Sequence, residues 1–401
     1  MFNFYQLAEN FVLKNLEHLN FGQLQLENHD GKTYSFGKNS ENLKADLKIN
    51  SKNFYFNLIK GGSSALAESY VNNDFSTKNL TALIELSAKN LDITNRLTGL
   101  FNKLNIFHFL KRFFTSNNKT KSVEFISKHY DLGNDFFSIW LDKTLTYSCA
   151  IYNDNNEQLD IAQINKYNKL IDLIKPKAGS KILEIGCGWG GFAEHLAKNN
   201  DIKLDCITIS KKQLEFAKER IFKAGLNEKV NIKFLDYRDV KENYDSIASI
   251  EMIEAVGEKN LKTYFSTISK NLNQGGVAAI QAIIIQDKLY DSYRKNQDFI
   301  QKYIFPGSCI PSITAIQNSL TSSTDLVIND IRDIGHHYAR TLADWRKRFL
   351  KNKQEIRKLG FDDKFLRMWL FYFAYCEGGF EEKVISDIHL HITKPGYRNS
   401  I

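Results

Sequence analysis

The chain has 401 residues, of which 43% are hydrophobic and 25% are charged. This composition is typical of a globular protein and excludes collagen-like and wholly disordered chains, while the length predicts two domains or one large domain with an extension. The formal net charge of +8 favours an anionic partner, either a nucleic acid or a phospholipid surface, although a basic surface also serves solubility alone.

The cysteines and the hydropathy pattern predict a cytoplasmic protein. None of the five cysteines belongs to a CxxC pair, so we expect neither a metal site nor a disulfide framework. Residues 1–22 mix acidic and basic side chains with apolar ones, which is untypical of a secretory signal. No run of about 18 apolar residues occurs, so any membrane contact is expected to be peripheral.

Residues 1–93 are predicted to form a small mixed domain. The residues at 22–26 and 34–36 indicate two short strands around a turn at 28–31, and residues 80–86 have a helical pattern. We find no catalytic constellation in this part of the sequence.

Residues 94–122 carry basic side chains and no acidic one, with many leucines and phenylalanines between them. Much of this segment fits a basic amphipathic helix suited to the surface of an anionic membrane. An interdomain linker whose apolar side packs on protein explains the same pattern. The basic residues are Arg96, Lys103, Lys111, Arg112, Lys119 and Lys121.

From about residue 155 strand and helix patterns alternate, which predicts an α/β domain with a parallel sheet covered on both faces. The two last strand patterns follow later in the chain, and the final one alternates, so it is compatible with an antiparallel strand. The predicted strands lie at 181–185, 204–209, 230–235, 245–251, 276–284, 325–331 and 386–392, with helices at 211–224 and 259–272.

The glycine-rich string Glu184 to Gly191 follows the first of these strands and opens a helix, so its backbone can approach a ligand closely. It also satisfies the GxGxxG pattern of dinucleotide sites. An acidic residue two positions before the first glycine suits an amine-bearing ligand better than a pyrophosphate. Asp205 lies too early in the second strand for the usual ribose-binding acid, which weakens the dinucleotide alternative without removing it. The string resembles the glycine loop of S-adenosylmethionine (SAM) methyltransferases.

Taken together, the motifs from about 123 to 380 resemble the cyclopropane fatty acid synthase family. The resemblance implies a class I SAM-dependent methyltransferase fold, Rossmann-like with a mostly parallel seven-stranded sheet, over residues 123–401. It also implies that 1–93 is the accessory domain and 94–122 a basic amphipathic linker. The matching strings are 129–137, 141–142, 147–150, 182–191, 208–213, 236–239, 251–257, 302–307 and 338–345.

The resemblance further implies the residues that hold SAM. They are Tyr130, Tyr147, Ser148, Glu184, Gly186, Gly188, Gly190, Thr208, Ser210, Gln213, Asp236, Tyr237 and Arg238. An acidic side chain at position 236 is suited to accept a hydrogen bond from the adenine amino group.

Family members bind a bicarbonate ion beside the methyl group, and the resemblance places Cys149, Glu254, Ile283 and Tyr338 in that site. The fifth position is commonly histidine, but this chain has Gln281, which cannot take up a proton at neutral pH. Ala255 also replaces a common histidine. These two departures concern the product and leave the methyltransferase assignment intact.

The implied activity is transfer of a methylene group from SAM to the cis double bond of an unsaturated phospholipid acyl chain, which forms a cyclopropane ring. If the base sits differently, the product is a methyl- or methylene-branched acyl chain. The implied partners are membrane phospholipids with an anionic surface at the inner face of the membrane, and a homodimer follows from the resemblance alone. A nucleic-acid methyltransferase and a non-enzymatic lipid-binding protein are the remote alternatives, and we expect no nucleic-acid partner because a base-flipping motif is absent.

Overall fold

A computed structural model describes residues 4–38, 42–102 and 132–398. The described residues form two compact units. The first contains the residues up to 102 together with 295–304 and 350–384, and the second contains 132–294, 305–349 and 385–398. The domain boundaries drawn from the sequence at 93 and 122 stay a prediction.

The first unit contains a four-stranded sheet of order β2-β1-β3-β4. The strands β1 and β2 pair as an antiparallel hairpin, as the sequence pattern predicts, and β3 lies parallel to β1 on its other side. The predicted helix at 80–86 is α3, whereas most of the basic segment 94–122 lies outside the described residues. The elements are α1 (Phe4–Leu16), β1 (Gln23–Glu27), β2 (Thr33–Gly37), β3 (Lys44–Ile49), α2 (Phe54–Val71), β4 (Phe75–Ser76), α3 (Leu80–Lys89) and α4 (Leu91–Asn102).

The second unit is built on a seven-stranded sheet of order β10-β11-β9-β8-β5-β6-β7. Strands β5 to β9 are parallel, and β11 runs antiparallel to both β9 and β10. The predicted mostly parallel sheet and its alternating last strand are therefore confirmed. The strands are β5 (Ser180–Ile185), β6 (Ile202–Thr208), β7 (Val230–Phe234), β8 (Tyr244–Ile250), β9 (Leu272–Ile285), β10 (Val327–Asp333) and β11 (Ile385–Thr393).

Helices cover both faces of this sheet because consecutive strand residues point to opposite sides. In β5, Leu183 belongs to one buried apolar cluster, whereas Ile182 belongs to another on the opposite face. The helices of this unit are α5 (Asn134–Trp140), α6 (Leu159–Ile174), α7 (Gly191–Asn199), α8 (Lys211–Lys223), α9 (Ile253–Val256), α10 (Leu261–Asn271), α11 (Asp287–Tyr293), α12 (Ile313–Ser323) and α13 (Gly335–Lys351).

The topology fixes where a ligand binds. The chain passes from β5 to β6 on one side and later to β8 on the other, so the strand order reverses at β5. In open sheets of this type the crevice beyond the carboxyl ends of such strands is the usual binding site. The glycine loop follows β5 directly and therefore lies at this crevice.

Two later helices, α14 (Lys353–Lys358) and α15 (Asp363–Glu381), belong to the first unit. There Thr81 on α3 donates a hydrogen bond to Glu377 on α15 over 3.1 Å. Within the described ranges, none of the helices is both long enough and apolar enough to cross a bilayer.

Candidate active site

The glycine loop has the backbone that the sequence motif predicts. Gly186, Gly188 and Gly190 have φ angles of 82°, 52° and 80°, which side-chain-bearing residues rarely adopt. A Cβ atom on Gly186 would lie 2.8 Å from Cγ of Met252. The loop therefore needs glycine both for its turn and for close packing.

Glu184 is buried on the strand that leads into this loop. Its Oε2 atom accepts a hydrogen bond from the Cys206 thiol over 3.3 Å, and burial raises the pKa of Glu184 to about 7. A cation or a protonated amine would stabilise the ionised form of a carboxyl group that is desolvated in this way. This fits the ammonium group of an amino-acid ligand such as SAM.

The end of β6 forms the next wall of the crevice. Thr208 donates to Oε1 of Gln213 over 3.0 Å and accepts from the backbone N–H of Ser210 over 3.1 Å. Ser210 in turn caps α8 by accepting from the Gln213 backbone N–H. The structure thus brings these three predicted residues together.

Asp205 does not act as the acid of a dinucleotide site. Its carboxylate lies 2.9 Å from the Lys233 ammonium group and accepts from Asn231 and Tyr244. These contacts occupy both carboxylate oxygens in the middle of the strand. The dinucleotide alternative loses its acidic residue.

Asp236 follows β7 beside Thr208, because the backbone of Leu235 donates to the Thr208 carbonyl over 3.1 Å. Arg238 donates to Asp236 through Nε and Nη2 over 2.7 and 2.6 Å, and this fixes the orientation of the carboxylate. Tyr237 differs from these two neighbours, since its ring is buried edge-on against Tyr264 in the core.

The predicted residues Tyr147 and Ser148 lie in the second unit, whereas Tyr130 lies outside the described residues. Tyr147 packs among aromatic rings, with centroid distances of 5.3 Å to Trp140 and 5.4 Å to Trp345. The Ser148 hydroxyl accepts a hydrogen bond over 2.7 Å from Lys166, which the sequence reasoning missed. Lys166 is fully buried, and this desolvation lowers its pKa to about 8.

Four of the five residues assigned to the ion site donate hydrogen bonds to the carboxyl groups of Glu251 and Glu254. The Cys149 backbone N–H and the Gln281 side chain donate to Oε1 of Glu251 over 2.7 and 2.8 Å. The Tyr338 hydroxyl donates to Oε2 of Glu251 over 2.6 Å. No role was predicted for Glu251, although it lies in the string 251–257 that carries the family resemblance.

The remaining contact involves Glu254 at the start of α9. The Ile283 backbone N–H donates to its Oε1 over 2.6 Å, and the buried Oε2 finds no hydrogen-bond partner among the described residues. Burial, reinforced by the charge of Glu251, raises the pKa of Glu254 to about 8. A cation bound beside this unpartnered oxygen would stabilise the ionised carboxylate.

Strand β11 adds residues that sequence reasoning also missed. The side-chain amide of Gln281 donates to Oδ2 of Asp387 over 2.7 Å, and its side-chain oxygen Oε1 lies 3.4 Å from Nε2 of His389. Burial and the charge of Glu251 raise the pKa of Asp387, whereas burial lowers that of His389 to about 3. The alternation of β11 was the one available signal, because it places both side chains on one face.

Comparison with known proteins places these features in context. The model of the mycolic acid cyclopropane synthetase family matches residues 117–390. A tuberculostearic acid methyltransferase of Mycobacterium tuberculosis is 37% identical over 80% of this chain and 76% of its own length. The cyclopropane-fatty-acyl-phospholipid synthase of Escherichia coli is 34% identical over 85% of this chain and 86% of its own.

Solved structures give the same result for the fold. A mycolic acid cyclopropane synthase complexed with S-adenosylhomocysteine matches with a TM-score of 0.64 and 25% identity, covering 68% of this chain and 98% of its own. The cyclopropane synthase MmaA2 of Mycobacterium tuberculosis matches with the same TM-score, covering the same shares of the two chains, at 24% identity. The class I methyltransferase fold that the family resemblance implies is confirmed.

Proposed function

Because this chain belongs to the mycolic acid cyclopropane synthetase family and is a SAM-dependent methyltransferase, we propose that it converts the cis double bond of an unsaturated phospholipid acyl chain into a cyclopropane ring. The observation that carries the proposal is the placement of two carboxyl groups, of the partly buried Glu251 and the buried Glu254, directly after the strand beside the glycine loop. These groups provide acceptors and negative charge where a cationic methyl donor would meet its substrate.

SAM supplies a methyl group activated by a positively charged sulfur. The glycine loop, Glu184, Ser148, the Thr208–Gln213 turn and Asp236 would hold it. Of these residues, Glu184 is the best match to the ammonium group of SAM, because that charge would stabilise the ionised form of a buried carboxyl group whose pKa is raised. The loop glycines allow the backbone to approach the ligand closely.

An alkene is a weak nucleophile, so the chain's residues must hold it in line with the methyl group. Attack leaves a positive charge on the acyl chain, which water would trap as an alcohol. The fully buried rings of Trp140 and Trp345 form one aromatic cluster with the partly buried ring of Tyr147. Their faces can stabilise a cation without reacting with it, and their packing excludes water.

Proton removal is the step for which the resemblance implies bicarbonate. Here the donors from Cys149, Gln281 and Tyr338 all bind the carboxylate of Glu251. A further anion would compete with that carboxylate and be repelled by its charge. These donors therefore do not fit an added bicarbonate ion while Glu251 holds them.

The alternative product is a branched acyl chain, because position 281 is glutamine instead of the common histidine. A relative at 37% identity is a tuberculostearic acid methyltransferase, and a hydride shift before proton loss would give a methylene branch from the same substrate. The cyclopropane and the methylene branch each keep two hydrogens of the donor methyl, whereas a methyl-branched alkene keeps all three.

The test uses phospholipid vesicles with oleoyl chains and SAM carrying a trideuterated methyl group. We expect products that keep two deuterons per added carbon, together with upfield ring-proton signals of a cyclopropane. Two deuterons without those signals indicate a methylene branch, and three deuterons indicate a methyl branch. Absence of any labelled lipid would refute the proposed function.

We also propose that the protein acts at the inner, anionic face of the membrane from the cytoplasm, as a homodimer. The support for the membrane face is chemical: the substrate lies in a bilayer, and the basic cluster Arg346, Lys347, Arg348, Lys351 and Lys353 lies at the end of α13 and the start of α14. The homodimer rests on the family resemblance alone. The Lys347 side chain is 73% exposed, whereas Arg348 is bound to Asp160 over 2.8 Å. Turnover in the vesicle assay should therefore fall as salt is added.

The glycine loop gives a matched test of the SAM site. Gly188 and Gly225 have φ angles of 52° and 69°, and a Cβ atom at either would meet nothing within 4 Å. Changing either residue to alanine should cost a similar stability, about 1 kcal/mol. Gly188→Ala alone should weaken SAM binding, by about tenfold in calorimetry, since its Cβ points into the proposed ligand space. Equal affinities in the two variants would place SAM elsewhere.

A further inference from the structure

The carboxylate of Glu251 lies at the centre of the donors that the family resemblance assigns to an ion. Its Oε1 accepts from the Cys149 backbone and from Gln281, and its Oε2 accepts from Tyr338. Three donors on two oxygens is the pattern of an ionised carboxylate. A protein side chain here supplies the three-atom O–C–O group that bicarbonate would otherwise supply.

The backbone of Glu251 is held in an unusual state. Its φ angle is 46°, a left-handed conformation that costs a non-glycine residue on the order of 1 kcal/mol. Its N–H donates to the Gln281 carbonyl over 2.9 Å, which anchors the residue to β9. Strain of this kind persists only where the surroundings enforce it, and it directs the side chain into the cluster of donors.

The position of the residue also connects it with the methyl donor. The next residue, Met252, contacts the glycine loop so closely that a Cβ on Gly186 would lie 2.8 Å from its side chain. Glu251 therefore follows β8 at the same edge of the sheet where the SAM loop follows β5. A base at this point would be adjacent to the transferred methyl group.

The surrounding charges are compatible with a base. Burial raises the pKa of Glu251, and hydrogen bonds from Tyr338 and Cys149 oppose that rise. Lys166 supplies a nearby positive charge, whereas burial and the charge of Glu251 raise the pKa of Asp387 well above its ordinary value. Glu251 is thus the member of the cluster best supported as an anion.

We propose that Glu251 is the catalytic base of this enzyme and replaces the bicarbonate ion that the family resemblance implies. This inference rests on the proposed function. Once the methyl group has bonded to one alkene carbon, the other carbon carries the positive charge. A Glu251 oxygen takes a proton from the new methyl group, and the electron pair of that C–H bond forms the bond that closes the ring. The carboxyl group returns the proton to solvent when the product leaves.

The experiment measures turnover on oleoyl phospholipid vesicles in buffer purged of carbon dioxide, with and without added bicarbonate. Wild-type activity should change less than about twofold. The variant Glu251→Gly suits its left-handed backbone and clears the donors, so it should lose at least about 100-fold of activity and regain at least about tenfold with bicarbonate. Glu251→Gln fills the same space without accepting a proton, so it should stay inactive in both buffers.

The matched control is Lys175→Gly, since Lys175 also has a positive φ, 42°, but is exposed at the end of α6. It should show wild-type activity and no response to bicarbonate. A wild-type enzyme that needs bicarbonate would overturn the inference while leaving the proposed function intact. So would a Glu251→Gly variant that binds SAM and either remains fully active or is not rescued. A wild-type enzyme that modifies no lipid in either buffer would instead refute the proposed function.

Discussion

Changing Glu254 to glutamine is expected to reduce turnover by about 100-fold or more while stabilising the folded protein at neutral and alkaline pH. The cause of the first effect is charge. A sulfonium ion beside Glu254 favours the ionised carboxylate, which then stabilises the cation that passes to the acyl chain. Loss of one such preorganised group typically costs about 10²–10³ in rate, and glutamine cannot ionise.

The second effect follows from the raised pKa. The folded protein keeps the Glu254 proton up to about pH 8, whereas the unfolded chain releases it near the ordinary value of 4.5. Between these values the unfolded state binds fewer protons, so the wild-type protein loses stability as the pH rises, by about 1.4 kcal/mol per unit at most. Glutamine removes this loss and keeps the acceptor for the Ile283 N–H.

Urea unfolding at pH 5, 7 and 9 measures the stability, and the vesicle assay measures the rate. The advantage of Glu254→Gln should be small at pH 5 and reach on the order of 2–4 kcal/mol at pH 9. Parallel stability profiles for the two proteins would contradict the raised pKa. An active glutamine variant would contradict the electrostatic role.

Changing Trp345 to alanine is expected to remove about 3–5 kcal/mol of folding stability. The side chain is fully buried, and its ring lies 5.6 Å from Trp140, 5.4 Å from Tyr147 and 6.0 Å from Tyr338. The change opens a cavity beside two residues assigned to the site. If the aromatic cluster protects a carbocation, the surviving activity should yield some hydroxylated, methyl-branched lipid, formed when water traps the cation.

Trp345→Phe is the matched control for this variant. The indole N–H of Trp345 is buried without a hydrogen-bond partner among the described residues, so losing it removes no bond. The phenyl ring keeps most of the contacts, and the variant should be far more stable than the alanine one and give no alcohol. Denaturant unfolding and lipid mass spectrometry check both points. Equal product profiles for the two variants would argue against a water-excluding role.

The sequence predicted the sheet well because buried parallel strands are long runs of branched apolar residues bounded by turns. It also predicted the glycine loop, where positive φ angles restrict the residue type. The alternation of β11 was compatible with the antiparallel direction that the structure shows, although both faces of the strand are largely buried.

The centre of the site was only partly visible from the sequence. In the sequence Lys166 looks like an ordinary solvent-facing lysine. It is buried because α6 packs against the sheet on the side that carries it. The pairing of β11 with β9 brings Asp387 and His389 to Gln281, with His389 directly opposite it. Glu251 reaches Gln281 from the other side, through the pairing of β8 with β9. Periodicity shows which side chains are buried, but it does not show which buried polar groups face each other across a sheet.

The position of β11 has a consequence for biosynthesis. This strand is translated after every other strand of its sheet, yet it inserts between β10 and β9 instead of adding to an edge. A nascent polypeptide in which β11 has not yet been made therefore exposes two unpaired strand edges and lacks Asp387 and His389. We therefore expect the site to be completed only after β11 has inserted into the sheet, and a protein from which this strand has been removed to be inactive.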